Sequence, residues 1–247
     1  MLALRWLLVA ALVVSVPAAA QEVVNNPETP RDGMVEIEPE FLWERGDDSD
    51  DIFFGVVPRV FVDEAMGEIY VLDSQLHEIM IFDTGGEWLR SIGREGEGPG
   101  EFRNPGDMYL SPSGEIGVMQ VFPGRVVQLT SDGEPGQAID PGNFEGFKVF
   151  HRSEGIGDRI VISGSEYGGG ANGGSQTDYL RAFAADGTLL AEFHSETSSV
   201  QFGGMQFVEN EFTNFTRRWA ASKDGRVAVG KTFDDYRVHV YDADGNL

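Results

Sequence analysis

This sequence predicts an all-β fold of repeated four-stranded units, the blades of a propeller, and three observations predict it. Beyond the N-terminus, no segment shows the 3.6-residue apolar period of an amphipathic helix. The apolar runs are four to six residues long, rich in Val, Ile, Tyr and Phe, and bounded by Gly, Asp and Ser, which is how short strands joined by hairpins read. Two separate marks also recur at one spacing: Gly67 to Gly114 and Gly86 to Gly133 are both 47 residues apart. A repeat of that length with about four strands points to propeller blades rather than to a helical solenoid.

The first unit spans Arg59 to Gly93. Its apolar runs meet a turn at Gly67, continue through Ile69 to Leu72 and Ile79 to Phe82, and meet a second turn at Gly86. The second unit, Asp107 to Glu134, repeats this with Ile116 to Gln120, Val126 to Leu129, and turns at Gly114 and Gly133. Weaker copies follow at 159–193 and 218–247, with the second turn at Gly187 and Gly245. Those intervals are 54 and 58 residues, so the later units carry insertions.

Between units one and two lies GREGEGPGEFRNP, Gly93 to Pro105. Together with the layout Val62, Asp63, Gly67, Ile69, Tyr70, Val71, Asp73, Ile79, Ile81, Phe82, Asp83 and Gly86, it resembles bacterial six-bladed β-propellers related to the NHL-repeat group. The resemblance covers 41–247 and is sharpest in the first unit and its connector. It implies a six-bladed type of ring with four-stranded antiparallel blades, about four of them present here. It implies a fold more firmly than an activity, because propellers host binding modules, lyases and lactone hydrolases alike.

The expected organisation is a signal peptide at 1–20, a disordered linker at 21–34 and the propeller at 35–247, with blades at 58–93, 105–140, 146–194 and 216–247, the last incomplete. FLWERG, Phe41 to Gly46, mimics WLRSIG, Trp88 to Gly93, so 35–46 is expected to be an outer strand completing the last blade. An incomplete ring would leave two blade faces uncovered. At roughly 500 Å² of apolar surface per face and ~25 cal/mol/Å², each forgoes about 12 kcal/mol, so the sequence is expected to be a fragment of a longer protein and marginal alone.

MLALRWLLVAALVVSVPAAA places one Arg, an apolar run and Ala18-Ala19-Ala20 ahead of Gln21, the pattern of a cleaved secretory signal. With no cysteine there is neither a lipoprotein attachment site nor a disulfide framework. The expected address is periplasmic or secreted, without a membrane role after cleavage. A net charge of −23, from 41 acidic and 18 basic residues, argues against nucleic acid, whose phosphates demand clustered Lys and Arg.

Propeller ligands bind over the central channel, at the innermost strands. Aligning the turns places Arg59, Asp107 and Arg218 at one point ahead of that strand in units one, two and four, with Lys148 near it in unit three. This constellation predicts a positive funnel for an anionic small molecule such as a carboxylate or sugar acid. The competing expectation is that Arg59 pairs with Asp107 and the others bond backbone carbonyls, as structure.

The glycines of the connector permit tight backbone, and Phe102 with Pro105 can plug the gap between blades. Its carboxylates match no calcium-loop spacing. His77, His151, His194 and His239 sit in different registers and read as solvated or edge residues, and Asp63, Asp73, Asp83, Asp132, Asp186 and Asp244 read as turn formers. Tyr167 to Ser175 reads as a flexible hairpin tip or a lid, and the aromatic stretch 201–219 as packed onto the ring.

No G-x-S-x-G elbow, zinc-type His pair or Walker loop occurs. The resulting expectation is a binding or interaction module for a small molecule or a protein, without a predicted cofactor. The alternatives are a hydrolase or lyase of the gluconolactonase or amidating-lyase kind using Ca²⁺ or another divalent ion, and a fragment without function.

Overall fold

The computed structural model describes residues 33–46, 51–111, 113–141, 146–170, 173–200, 215–230 and 237–247. The signal segment 1–20, the linker to residue 32 and most of the aromatic stretch 201–219 lie outside the described residues. The chain divides into Met1–Phe41 and Leu42–Leu247. In the first unit, the described residues 33–41 form neither helix nor strand.

The second unit is a succession of antiparallel sheets, each wound in chain order. Blade one comprises β1 (Arg59–Asp63), β2 (Glu68–Asp73), β3 (Glu78–Asp83) and β4 (Trp88–Ile92). Blade two comprises β5 (Pro105–Leu110), β6 (Ile116–Gln120) and β7 (Arg125–Leu129). Its outer strand is reduced to isolated bridges from Leu129 to Pro135 and from Val126 to Ile139. Blade three comprises β8 (Phe147–Ile156), β9 (Arg159–Gly170), β10 (Gly173–Ala184) and β11 (Leu189–Val200). A 3-10 turn, Phe215–Arg217, leads into β12 (Trp219–Ala221), β13 (Val227–Gly230) and β14 (Val238–Tyr241) of blade four.

The turn glycines do what their spacing implies. Gly67, Gly114, Gly157 and Gly225 lie in the first turn, after each blade's first strand, and Gly86, Gly133, Gly187 and Gly245 in the second marked turn, after its third strand, all at φ between 60° and 87°, a region costly for any side chain with a Cβ. Short polar side chains fix these turns: Asp63 accepts from the Ala65 and Met66 amides, Asp83 from Gly85 and Glu87, and Asp186 from Thr188. In blade four the acceptor is Asp242, whose carboxylate takes the amides of Asp244 and Asn246.

The core lies between blades. Tyr70, Leu72, Ile79, Ile81 and Ile92 of blade one pack on Met108, Ile116, Val118, Val127 and Leu129 of blade two. Phe102 joins this layer fully buried, so the connector plugs the gap. A second layer joins blades two and three through Tyr109, Met119, Val126, Phe150, Ile162 and Tyr179. A third joins blades three and four, with Phe215 and Trp219 buried among Val161, Leu180, Phe193, Val227 and Tyr241. The two outward faces carry exposed apolar residues, Val60 and Val62 on blade one and Val238 and Val240 on blade four.

Register between blades is keyed at one carbonyl. Two residues before the second turn glycine, the backbone oxygens of Thr84, Ser131 and Ala243 accept bonds from Trp43 Nε1 (3.0 Å), Arg90 Nη2 (3.1 Å) and Arg159 Nη1 (2.6 Å) respectively. Trp43 also stacks on Phe82 at 6.4 Å, and Arg45 donates to the Gly86 carbonyl. Residues 42–46 form no strand, yet Trp43 stands toward Thr84 as Arg90 of β4 stands toward Ser131.

Two local expectations differ from the structure. The ladder between β9 and β10 continues through the glycines to the pair Gly170 and Gly173, so the segment 167–175 is mostly strand. Glycines are poor strand formers alone, but here two flanking strands hold them, with Phe147 opposite Tyr167 and Ser199 opposite Ser175. Blade three therefore runs on to Val200 instead of ending near 194. His151 and His194 lie on the two edge strands of blade three, as expected, but are engaged there: His151 Nε2 lies 2.7 Å from Ser165 Oγ, and His194 bonds Glu196 and meets Phe215 edge-on at 4.6 Å.

Candidate functional site

The innermost strands β1, β5, β8 and β12 carry the level at which the sequence places ligand-contacting residues. Strand pairing fixes which residues share that level. Leu72, Met119, Ser163 and Gly230 each pair with the residue seven positions before the second turn glycine, namely Ile79, Val126, Leu180 and Val238. Their inner-strand partners are Arg59, Asp107 and Arg152, and Gly230 donates its amide to the Arg218 carbonyl. Arg59, Asp107 and Arg218 thus occupy one level, as their spacing predicts. In blade three the place belongs to Arg152, while Lys148 stands four residues earlier, opposite Glu166.

These side chains are engaged between blades. Arg59 Nε lies 3.4 Å from Asp107 Oδ1, and Asp107 Oδ2 accepts the Ser153 amide of blade three at 2.8 Å. Arg152 Nη1 donates to the Trp219 carbonyl of blade four at 2.5 Å, with its guanidinium 4.6 Å over the indole. Each link crosses to the next blade, like a strap around the inner ring. Lys148 is buried, bonded to the Asp140 carboxylate and to the Pro141 carbonyl at 3.2 Å. Arg218 is exposed. Burial pushes the Asp107 carboxyl above the ordinary range, and the Ser153 amide and the Arg59 charge only partly offset it.

A second polar arrangement clamps the outer hairpin of blade one. Arg90 holds Glu68 with both terminal nitrogens, at 2.7 and 2.8 Å, and the Tyr70 hydroxyl donates to the same carboxylate at 2.7 Å. Arg90 keeps the Glu68 carboxyl below its ordinary value despite burial. Asp73, fully buried, is pulled up by burial, but the backbone amides of Leu76, Gly55, Gln75 and Val56 outweigh that and leave it below its usual range. Through Asp73 the segment 55–56 is tied to the hairpin of β2 and β3.

Open space lies on the face formed by the first and second hairpin turns. Between blades two and three is a cavity of about 210 Å³ lined by Tyr109, Ser111, Glu115, Gly117, Gln128 and Asp158 among others. A wider recess of about 560 Å³ adjoins it at the ends of β5, β8 and β12, lined by Leu110, Ser111, Glu154, Ile156, Ser222 and Lys223 among others. Ser111 and Gly157 border both. Sequence reasoning did not single out this face, although comparing repeats shows one signal: Gly117 stands where blade one has Tyr70. Among the described residues, no group of three or more His, Cys, Asp or Glu could hold a metal ion.

Residues 49–138 match a family model described as a 6-bladed beta-propeller. Similar solved structures include a Bacteroides fragilis protein whose name proposes that it is exported, at 13% identity and TM-score 0.49, covering 80% of this chain and 50% of that one. A member of the DUF4221 family from Bacteroides vulgatus aligns at 14% identity and TM-score 0.44, covering 78% and 60%. Virginiamycin B lyase from Staphylococcus aureus aligns at 10% identity and TM-score 0.34, covering 74% and 68%. The chain spans 50% and 60% of the lengths of the first two. None of the curated proteins matches the sequence. With four sheets wound alike, keyed at one repeated carbonyl, and a matching propeller family model over the first two, the fold is a β-propeller.

Proposed function

We propose that this protein is an exported β-propeller binding module whose ligand is a small molecule or peptide taken up on the hairpin-turn face. The observation that carries this reading is the pair of adjoining spaces, about 210 and 560 Å³, bordered by Ser111 and Gly157, at connecting turns held by a rigid scaffold, where binding residues concentrate. Arg59, Asp107, Arg152 and Lys148 serve as straps between blades, which favours the structural alternative over an anion-binding funnel. Export rests on the N-terminal pattern ending at Ala20. Kinship with the NHL-repeat group rests on the connector motif. The expected outer strand at 35–46 is not a strand in the structure; the bonds of Trp43 and Arg45 support reading 42–46 as covering the outer edge of blade one from the side of the last blade.

The test is a fragment screen by amide chemical-shift perturbation on the full chain, with Edman or mass analysis of the protein recovered from the periplasm. The expected result is a set of hits shifting Leu110, Ser111, Gly157 and Ser222, and a mature N-terminus near Gln21. Hits confined to the opposite face, around Lys148 and Arg125, would overturn the choice of face. A retained Met1 would overturn export.

A further inference from the structure

Blades one and two place corresponding residues at the same spot and fill it differently. In blade one the Phe61 ring stacks on Tyr70 at 4.7 Å, the Tyr70 hydroxyl bonds Glu68, and the Arg90 guanidinium occupies both oxygens of that carboxylate. Strand pairing identifies the counterparts: Tyr109 for Phe61, Gly117 for Tyr70 and Gln128 for Ile81. Glu115 immediately precedes β6, at the repeat position where Glu68 opens β2. Where Ile81 pairs with Arg90, Gln128 instead receives the amide of Gly136, which has no side chain to offer.

These replacements together empty the place and make it polar. A Cβ on Gly117 would lie 2.1 Å from Cζ of Tyr109, so the absence of a side chain there lets the Tyr109 ring lie across the strand. What remains is the cavity of about 210 Å³. Tyr109 is only 5% exposed, lines that cavity, and its hydroxyl has no hydrogen-bond partner. The Gln128 amide stands close to it without reaching bonding geometry. An unmade buried bond of this kind is costly, so it marks a position where a partner is gained on binding. Glu115 makes no ion pair among the described residues; its carboxylate only accepts from Ser113 at 3.3 Å. Asp158 adds a second carboxylate at the rim; Arg159 also lines the cavity, with its Nη1 donating to the Ala243 carbonyl.

We infer that this cavity binds a guanidinium group, supplied by the ligand in the place where blade one supplies Arg90. The inference rests on the binding-module reading and names the chemistry of one of its two spaces. Glu115 takes the charge in the manner of Glu68. The Tyr109 oxygen accepts an N–H of the ligand, and the Gln128 carbonyl oxygen can accept another. A planar fork of donors suits this acceptor set, which a single ammonium would leave partly unsatisfied.

The experiment titrates the full chain with methylguanidinium, with glycyl-arginyl-glycine and with the tripeptide carrying citrulline, a neutral isostere, following amide shifts and calorimetry at low and moderate salt. The expected result is shifts at Tyr109, Gly117 and Gln128 with both guanidinium probes, and at least tenfold weaker binding of the citrulline peptide. Glu115→Gln, at an exposed position, weakens binding at least fivefold and removes most of its salt dependence. Tyr109→Phe, which deletes an unpartnered hydroxyl and leaves the fold intact, weakens it about threefold. Tighter binding of the tripeptide identifies a peptide arginine as the source, and equal binding identifies a free small molecule. No shift at these residues with either probe, or equal affinity in Glu115→Gln, overturns the inference. Other fragments shifting Ser111 or Ser222 while guanidinium does not would leave the binding-module reading standing and remove this one alone.

Discussion

Removing the Asp107 carboxylate tests whether the inner-strand level is a structural strap. In the folded chain this side chain accepts the amides of Met108 (3.0 Å) and Ser153 (2.8 Å) and faces Arg59 at 3.4 Å. Asp107→Ala leaves two buried N–H groups unpartnered, at roughly 1–3 kcal/mol each. Arg59 keeps part of its guanidinium in water, so losing its counter-charge adds less than for a fully buried pair. Against these stands the relief of no longer burying a charge, visible in the raised carboxyl pKa. The net loss is about 3 kcal/mol, a large part of the ~5–15 kcal/mol typical of a domain. At about 2–4 °C per kcal/mol for this size, Tm falls by about 6–12 °C.

Urea unfolding of Asp107→Ala, Arg59→Ala and the double variant supplies the cycle, with a coupling of about 0.5–1 kcal/mol expected between the pair. Because the folded pKa is raised, the carboxylate's charge costs the folded state stability in full above its folded pKa, and that cost shrinks as pH falls below it and is gone below the unfolded value. Asp107→Asn turns one of the two accepting oxygens into an NH2 but carries no charge, so its stability relative to wild type is less unfavourable at neutral pH than in acid. A loss below about 1 kcal/mol in Asp107→Ala, with no coupling to Arg59, would refute the strap.

Further outcomes follow from other parts of the ring. The carboxyls of Glu68 and Asp73 are depressed in the folded state, so the stability they give is complete above their unfolded values near ~4 and drains away as pH falls through the lower folded ones; urea midpoints from pH 7 to pH 2.5 should drop there, less steeply in Glu68→Gln and Asp73→Asn, and a flat profile counts against these bonds. Gly67 and Gly133 share a positive φ, but a Cβ meets nothing within 4 Å at Gly67 and lies 2.9 Å from Ile92 at Gly133. Calorimetry should find Gly67→Ala costing about 1 kcal/mol and Gly133→Ala at least about 1 kcal/mol more; equal costs would show that the blades are not in contact there. Trp43→Ala removes the stack on Phe82 and the bond to Thr84, and should cost about 2–3 kcal/mol with an upfield-shifted Phe82 resonance lost; an unchanged Tm would detach 42–46 from blade one.

The blade pattern was legible because a glycine with positive φ is needed wherever a hairpin turns this way, so Gly67, Gly86, Gly114 and Gly133 mark the register without any tertiary information. The common level of Arg59, Asp107 and Arg218 followed from those marks. Lys148 was misplaced because the approach to blade three carries an insertion and β8 contains a bulge between Phe150 and Arg152, which the eye cannot count. Counting from the first turn at Gly157, across the ladder, reaches Arg152. The cavity beside Tyr109 was hidden for another reason: its signal is a missing side chain, Gly117, that composition and periodicity treat as an ordinary strand glycine. The polar row His151, Ser165 and Asp178 was hidden because its members pair across three strands.

The carbonyl that accepts the inter-blade bond sits two residues before the second turn glycine in blades one, two and four, on the same side of the ring as the first hairpin turns. Blade three lengthens at its opposite end, where Gly170 pairs with Gly173. Length is added in blade three at the end away from the one where blades one, two and four keep their alignment. A repeat of 54 residues can follow one of 47 without losing its register on its neighbour, because the added length lies away from the keyed end.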